Sequence, residues 1–142
     1  MTNDKGQMTR PLPEPVEELN KQYWAFCNEE RLCFQHCVSC GNWQHIPRYL
    51  CARCGSDRLE WQQASGRGKV YSWTVTRAPL HPAFAASVPY AVLLVELAEG
   101  VRMISGLKGN SVDEIELDMP VEVIFERLTA DTAMPFFQRV KE

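Results

Sequence analysis

Four of the six cysteines fall into two matching clusters. One reads Cys37-Val38-Ser39-Cys40-Gly41 and the other Cys51-Ala52-Arg53-Cys54-Gly55, with ten residues between Cys40 and Cys51. Two Cys-x-x-Cys pairs at this separation are a metal-binding pattern. Each pair offers two thiolates from one tight turn, and the glycine behind it can take the positive φ that points backbone amides at sulfur. Four soft thiolates arranged tetrahedrally suit Zn²⁺. Iron in a rubredoxin-like site is the other metal this set would hold, and a disulfide pair or unconnected thiols the non-metal readings. With all four positions filled by cysteine there is no open position for water or substrate, so a zinc here is structural. A ribbon of about 25 residues cannot fold on its own apolar burial. Metal binding, worth roughly 10–16 kcal/mol in such sites, then supplies much of its stability. His36 and His45 flank the pairs and read as neighbours of a complete ligand set. Cys27 and Cys33 read as buried or half-buried free thiols with no base at useful spacing.

The elements that position these thiols follow from the chain's patterning. At 142 residues, 45% hydrophobic and 23% charged, it has the size of one compact domain or two very small ones. Residues 1–13 are polar and then proline-punctuated, and read as disordered. Pro15 fits a first helical turn, and Glu14, Glu17 and Glu18 favour the positive end of a helix. Val16, Leu19, Tyr23, Phe26 and Cys27 recur at helical spacing, so residues 14–29 form an amphipathic helix, with Trp24 widening its apolar face. That face either packs on the chain's own domain or docks on a partner. Arg31–His36, Trp43–Tyr49 and Leu59–Ala64 read as short strands around the two cysteine turns. This is the order of a zinc ribbon.

Beyond Ser65 the strands lengthen: Lys69–Thr76, Tyr90–Leu97, Val101–Lys108, Val121–Leu128 and a short Pro135–Val140. Five strands in about 75 residues, with no room for long helices, predict a small barrel. The five-stranded OB-fold is the natural candidate. The predicted organisation is mainly β, with a tail and amphipathic helix over 1–30, a rubredoxin-like zinc ribbon over 31–64 and an OB-fold over 65–142. The 77–89 segment, with three prolines and the apolar Leu80, Phe84 and Val88, is long for a strand connection. It is either a recognition loop or a closure of the barrel end. His81 within it reads as an ordinary loop histidine, and Asp113–Asp118 as a solvated turn.

Several function classes are disfavoured. A net charge of −3 does not supply the basic face of a broad nucleic-acid footprint. No apolar run approaches the roughly 18 residues of a membrane span, and the first residues lack the apolar core of a signal peptide. Thiols committed to metal fit a reducing, cytoplasmic setting. There is no phosphate-binding glycine motif, nucleophile elbow or His-Glu-x-x-His, so no catalytic residue is assigned.

Taken together, the residues resemble a known family, the acyl-CoA-associated zinc-ribbon/OB-fold proteins. Its marks run from Tyr23-Trp24 and Arg31-Leu32 through both cysteine pairs with Pro47-Arg48 between them. They continue in Leu59-Glu60-Trp61, Ser65–Ser72, Pro89-Tyr90, Val95–Arg102 and Pro135-Phe136. The resemblance implies a non-catalytic partner of a thiolase-fold enzyme (thiolase, aldolase or acyltransferase) in a hetero-oligomer, supporting assembly and lining the acyl-CoA channel. Tyr23, Trp24, Phe26 and Phe84 are the candidate interface anchors. Arg67, Lys69, Arg77 and Arg102 are the candidate cations for a CoA ester. The alternatives are a hydratase-associated subunit, a free-standing acyl-CoA binder and, against the charge, a single-strand nucleic-acid module using Tyr71 and Trp73.

Overall fold

The computed structural model describes residues 10–140. The disorder expected for 1–13 therefore falls mostly outside the described residues; within it, 10–13 run as irregular chain. A helix, α1 (Glu18–Asn28), comes first. It starts later than the proline pattern predicts, because Glu17 is its cap. The Glu17 carboxylate accepts from the amides of Leu19 (2.9 Å) and Asn20 (3.4 Å), and Pro15 stays outside. The apolar stripe turns inward: Tyr23 and Cys27 are buried, whereas Val16, now off the helix, is exposed.

The ribbon is a three-stranded antiparallel sheet in the order β2-β1-β3, from β1 (Cys33–Cys37), β2 (Trp43–Gln44) and β3 (Leu59–Gln63). The second strand is shorter than the Trp43–Tyr49 stretch expected. Past Gln44 the backbone leaves the ladder, and Arg48 pairs instead with the Gln35 side chain, which donates to its carbonyl and accepts from its amide, both at 2.8 Å.

The remaining strands are β4 (Arg67–Thr76), β5 (Tyr90–Leu97), β6 (Arg102–Gly106), β7 (Pro120–Thr129) and β8 (Thr132–Arg139). They form one antiparallel sheet in the order β6-β5-β4-β7-β8. A bulge between Val70 and Ser72 breaks the β4–β5 register and helps the sheet coil. The expected barrel is not closed by a continuous ladder. Its edges, β6 and β8, meet at a single parallel bridge, Leu107 to Phe137. Pro135 has no N–H to give a ladder along this seam; its carbonyl instead accepts from the Ser105 hydroxyl at 3.1 Å. The acidic stretch expected as a turn is a short 3₁₀ turn, Val112–Glu114, closed by a Ser111/Glu114 capping box.

One hydrophobic core links all three segments. Tyr23 and Cys27 of α1, Leu32 and Phe34 of the ribbon, and Val70, Leu93, Val95 and Phe137 of the coiled sheet belong to the same buried cluster. The helix thus packs on its own chain. Among the described residues, no helix is long and apolar enough to cross a membrane.

Candidate metal centre and apolar groove

The two cysteine turns fold alike. In each, the glycine is at positive φ, 80° at Gly41 and 78° at Gly55. Its amide bonds back to the first cysteine's carbonyl at 2.8 and 2.9 Å. The amide of the first cysteine reaches a carbonyl five residues on, Cys37 to Asn42 and Cys51 to Ser56. These paired turns face each other and bring Cys37, Cys40, Cys51 and Cys54 together, all four sulfurs within 4.8 Å. Cys37 and Cys54 are 3.7 Å apart, and Cys40 and Cys51 3.6 Å. Zn–S bonds of about 2.3 Å in a tetrahedron place sulfurs about 3.8 Å apart, so the set fits this ion. The amides of Cys54 and Arg53 hold the Cys51 thiol down to about 6. At Cys37, burial works upward, but the Cys40 and Ser39 amides outweigh it and the thiol lies below its ordinary value. Neither His36 nor His45 belongs to the cluster.

Two glutamines that sequence reasoning passed over hold the second turn in place. Gln35 and Gln44 are buried. Gln44 donates to the Gln35 oxygen (2.9 Å) and the Leu50 carbonyl (3.3 Å), and accepts from the Ala52 amide at 2.8 Å. Buried amides with every arm committed in this way are splints for irregular backbone. Gln35 shares one face of β1 with Cys33 and Cys37, both buried, and that two-residue spacing is the signal that could have found it.

The other two cysteines are buried away from the cluster. Burial pushes Cys27 up to about 12 and raises Cys33 as well. His81 spends its Nδ1 lone pair capping the short 3₁₀ turn Pro82–Phe84, accepting from the Ala83 amide at 3.0 Å.

A second feature is a groove of about 400 Å³ where all parts of the molecule meet. Tyr23 and Trp24 of α1, His45 of the ribbon and Phe84 of the long loop line it together with Tyr90, Met103, Met134 and Phe136 of the coiled sheet. Gly106 makes room for the Phe136 ring, since a Cβ there would lie 2.9 Å from its Cδ1. Burial lowers His45 to about 4, so its imidazole is neutral between the rings of Tyr23 (4.8 Å) and Phe34 (5.1 Å).

The expected interface anchors separate. Trp24 and Phe84 share the groove. Tyr23, expected on an exposed face, is only 5% exposed because α1 docks inward. Phe26 lies outside the groove lining, against Trp61 at 5.4 Å. Of the four cations, Lys69 and Arg102 flank Glu96 on neighbouring strands with Arg67 two residues along β4, and Arg77 lies apart. Arg67, Lys69 and Arg102 meet Glu122 (3.8 Å), Asp118 (3.6 Å) and Glu96 (3.1 Å), and Arg102 also covers the Tyr71 ring. Arg77 is exposed just past the far end of β4, about 30 Å of extended chain from Arg67. None of the four lines the groove; its cations are Arg10 and Lys108. Lys108 follows the alternating β6, whereas Arg10 lies in a segment whose composition reads as tail.

Comparison with known proteins bears on these features. Residues 24–60 match the family described as the rubredoxin-like zinc ribbon domain of ChsH2, and 61–126 the C-terminal OB-fold domain of ChsH2. A DUF35 domain-containing scaffold protein of Pyrococcus furiosus is 34% identical over 108 residues, 75% of this chain and 78% of that protein. The chain belongs to the DUF35 (ChsH2) family. Its ribbon is therefore a zinc-ribbon domain with the four cysteines gathered as a zinc site requires, and its coiled sheet is an OB-fold. A solved structure described as an "Ltp2-ChsH2(DUF35) aldolase" superposes on this DUF35 chain with a TM-score of 0.81 and 35% identity, covering 89% of it and 98% of the matched chain. A probable enoyl-CoA hydratase alpha subunit of Thermomonospora curvata is 36% identical over 137 residues, 96% of this chain. The DUF35 chain spans 42% of that protein's length.

Proposed function

We propose that this DUF35 chain is a non-catalytic subunit of a two-component acyl-CoA enzyme, paired with a thiolase-fold aldolase or acyltransferase. The observation that carries the reading is its likeness, over 98% of the matched chain, to a chain of the Ltp2-ChsH2(DUF35) aldolase. The scaffold proteins of the same family support a role in assembly. Residue chemistry agrees: the thiols outside the cluster are held protonated by burial, and His81 is spent on a turn. The candidate acyl channel is the groove between Trp24, Phe84 and the coiled sheet, where the apolar arm of a CoA ester would lie.

In this reading Cys37, Cys40, Cys51 and Cys54 hold Zn²⁺, which supplies cross-linking strength and no chemistry on substrate. The chain's own residues keep the ribbon fixed to the OB-fold through Phe34 and Tyr23, and present Trp24 and Phe84 at a common surface. Reconstitution tests it. The partner enzyme alone should be inactive or unstable, and adding this chain should restore turnover; Trp24→Ala and Phe84→Ala should raise the concentration needed. Full activity of the partner without the chain would refute the subunit reading. A hydratase-associated role is the second reading, carried by the 36% identity to the hydratase alpha subunit. It predicts hydration of an enoyl-CoA, not carbon–carbon bond cleavage, by the reconstituted pair.

A further inference from the structure

Among the described residues, Arg10 is a cation without a counter-ion. Its Nε is shut off from solvent and meets no acceptor among the described residues. Its Nη2 finds only the Met134 thioether at 3.6 Å, a weak acceptor, and its guanidinium lies over the Phe84 ring at 5.3 Å. Among the described residues no carboxylate pairs with it. Lys108, the other cation lining the groove, lies over Phe136 at 4.5 Å but is answered by Glu126 at 2.9 Å. The groove therefore joins an apolar, aromatic lining to one uncompensated positive charge. Leaving the buried Arg10 Nε–H unmatched is costly. A ligand with an apolar body and an anionic end would satisfy both features at once. Planar Arg forks match carboxylates by paired hydrogen bonds. A volume of about 400 Å³ lies at the small end of pockets that hold a small molecule.

We infer that this groove binds an aliphatic carboxylate, its chain against Phe84, Tyr90 and Phe136 and its carboxylate on Arg10. The inference takes the groove that the subunit reading makes the acyl channel and gives its anionic end to Arg10; because it is read on this chain alone, its failure leaves the subunit reading untouched. It also differs from a site for the CoA phosphates, since it takes one anion at the end of an apolar body.

The test is calorimetric titration of the full, zinc-loaded chain with octanoate and with 1-octanol, which share an eight-carbon chain and differ in charge. Octanoate should bind about tenfold or more tightly than 1-octanol. Arg10→Gln should erase that preference while still binding the alcohol. Lys108→Gln should keep it, because Glu126 already matches that lysine. Equal affinity of the wild-type chain for the two probes, no binding of either at millimolar concentration, or a preference that survives Arg10→Gln would each overturn the assignment. Loss of the preference in Lys108→Gln alone would overturn Arg10 as the anchor.

Discussion

Gln35 sits in the middle strand of the ribbon with both ends of its amide committed. It donates to the Arg48 carbonyl and accepts from the Arg48 amide and from Gln44. Replacing it with Met keeps the volume and strands these partners in a buried place. Gln35→Met should therefore cost about 2–3 kcal/mol, read as a lower urea midpoint with the slope unchanged. His45 makes a different prediction. It protonates near 6.5 in the unfolded chain and near 4 when folded, because burial penalises the imidazolium. Between those values the unfolded chain binds more protons, so stability falls as pH drops through this window. The full effect is about 3 kcal/mol at most. His45→Phe, which keeps a ring between Tyr23 and Phe34, should flatten the loss between pH 7 and pH 5. An unchanged pH slope in denaturant titrations would exclude His45 as the cause. At this scale the cysteines were legible because metal chemistry fixes spacing in sequence. The glutamines and Arg10 were not, because what they bond to is set by the fold.

At the scale of elements, packing decided what periodicity left open. The helical stripe of Tyr23 and Cys27 was plain in the sequence, but nothing in it distinguishes a face for the chain's own core from one for a partner. The structure places Tyr23 in the core and leaves Trp24 half-buried at the groove. The strand β5 was read within its true limits, since Tyr90–Leu97 is apolar but for Glu96 and alternates in burial. The start of β8 was missed: Thr132-Ala133-Met134 carries little strand signal and gains its place by pairing with Glu126, Arg127 and Thr129. Arg127 ties these elements together. Its guanidinium donates to the Asn28 side chain (2.7 Å) and carbonyl (2.6 Å) at the end of α1, and to the Thr129 and Ala130 carbonyls of the β7–β8 turn. Arg127→Ala should cost about 1–2 kcal/mol and speed amide exchange in the last turn of α1 before the rest. Uniform acceleration of exchange along the chain would show that Arg127 does not act at this joint.

For the whole molecule, the shared core makes the ribbon's metal a matter for the entire chain. Leu32 and Phe34 of the ribbon pack in the same cluster as Leu93 and Phe137 of the OB-fold. Removing zinc with a chelator should therefore lower a single unfolding transition by about 10 °C or more, not melt the ribbon alone. Cys51→Ser should reproduce this without chelator, with zinc content falling in step. Two separated transitions would show that ribbon and OB-fold are thermodynamically independent. The fold class and order of parts were legible because the cysteine turns and strand spacing are local signals. The curl of the sheet, the open β6–β8 seam and the groove across it were not, because they arise where distant segments meet.

The most direct test of a subunit role is purification of the native protein from its source cells, with mass spectrometry and an acyl-CoA assay on what elutes with it. A stoichiometric thiolase-fold enzyme should elute with it, lose activity when this chain is stripped away and regain it on re-addition. Elution of the chain alone, or with a partner that is fully active without it, would refute the subunit role.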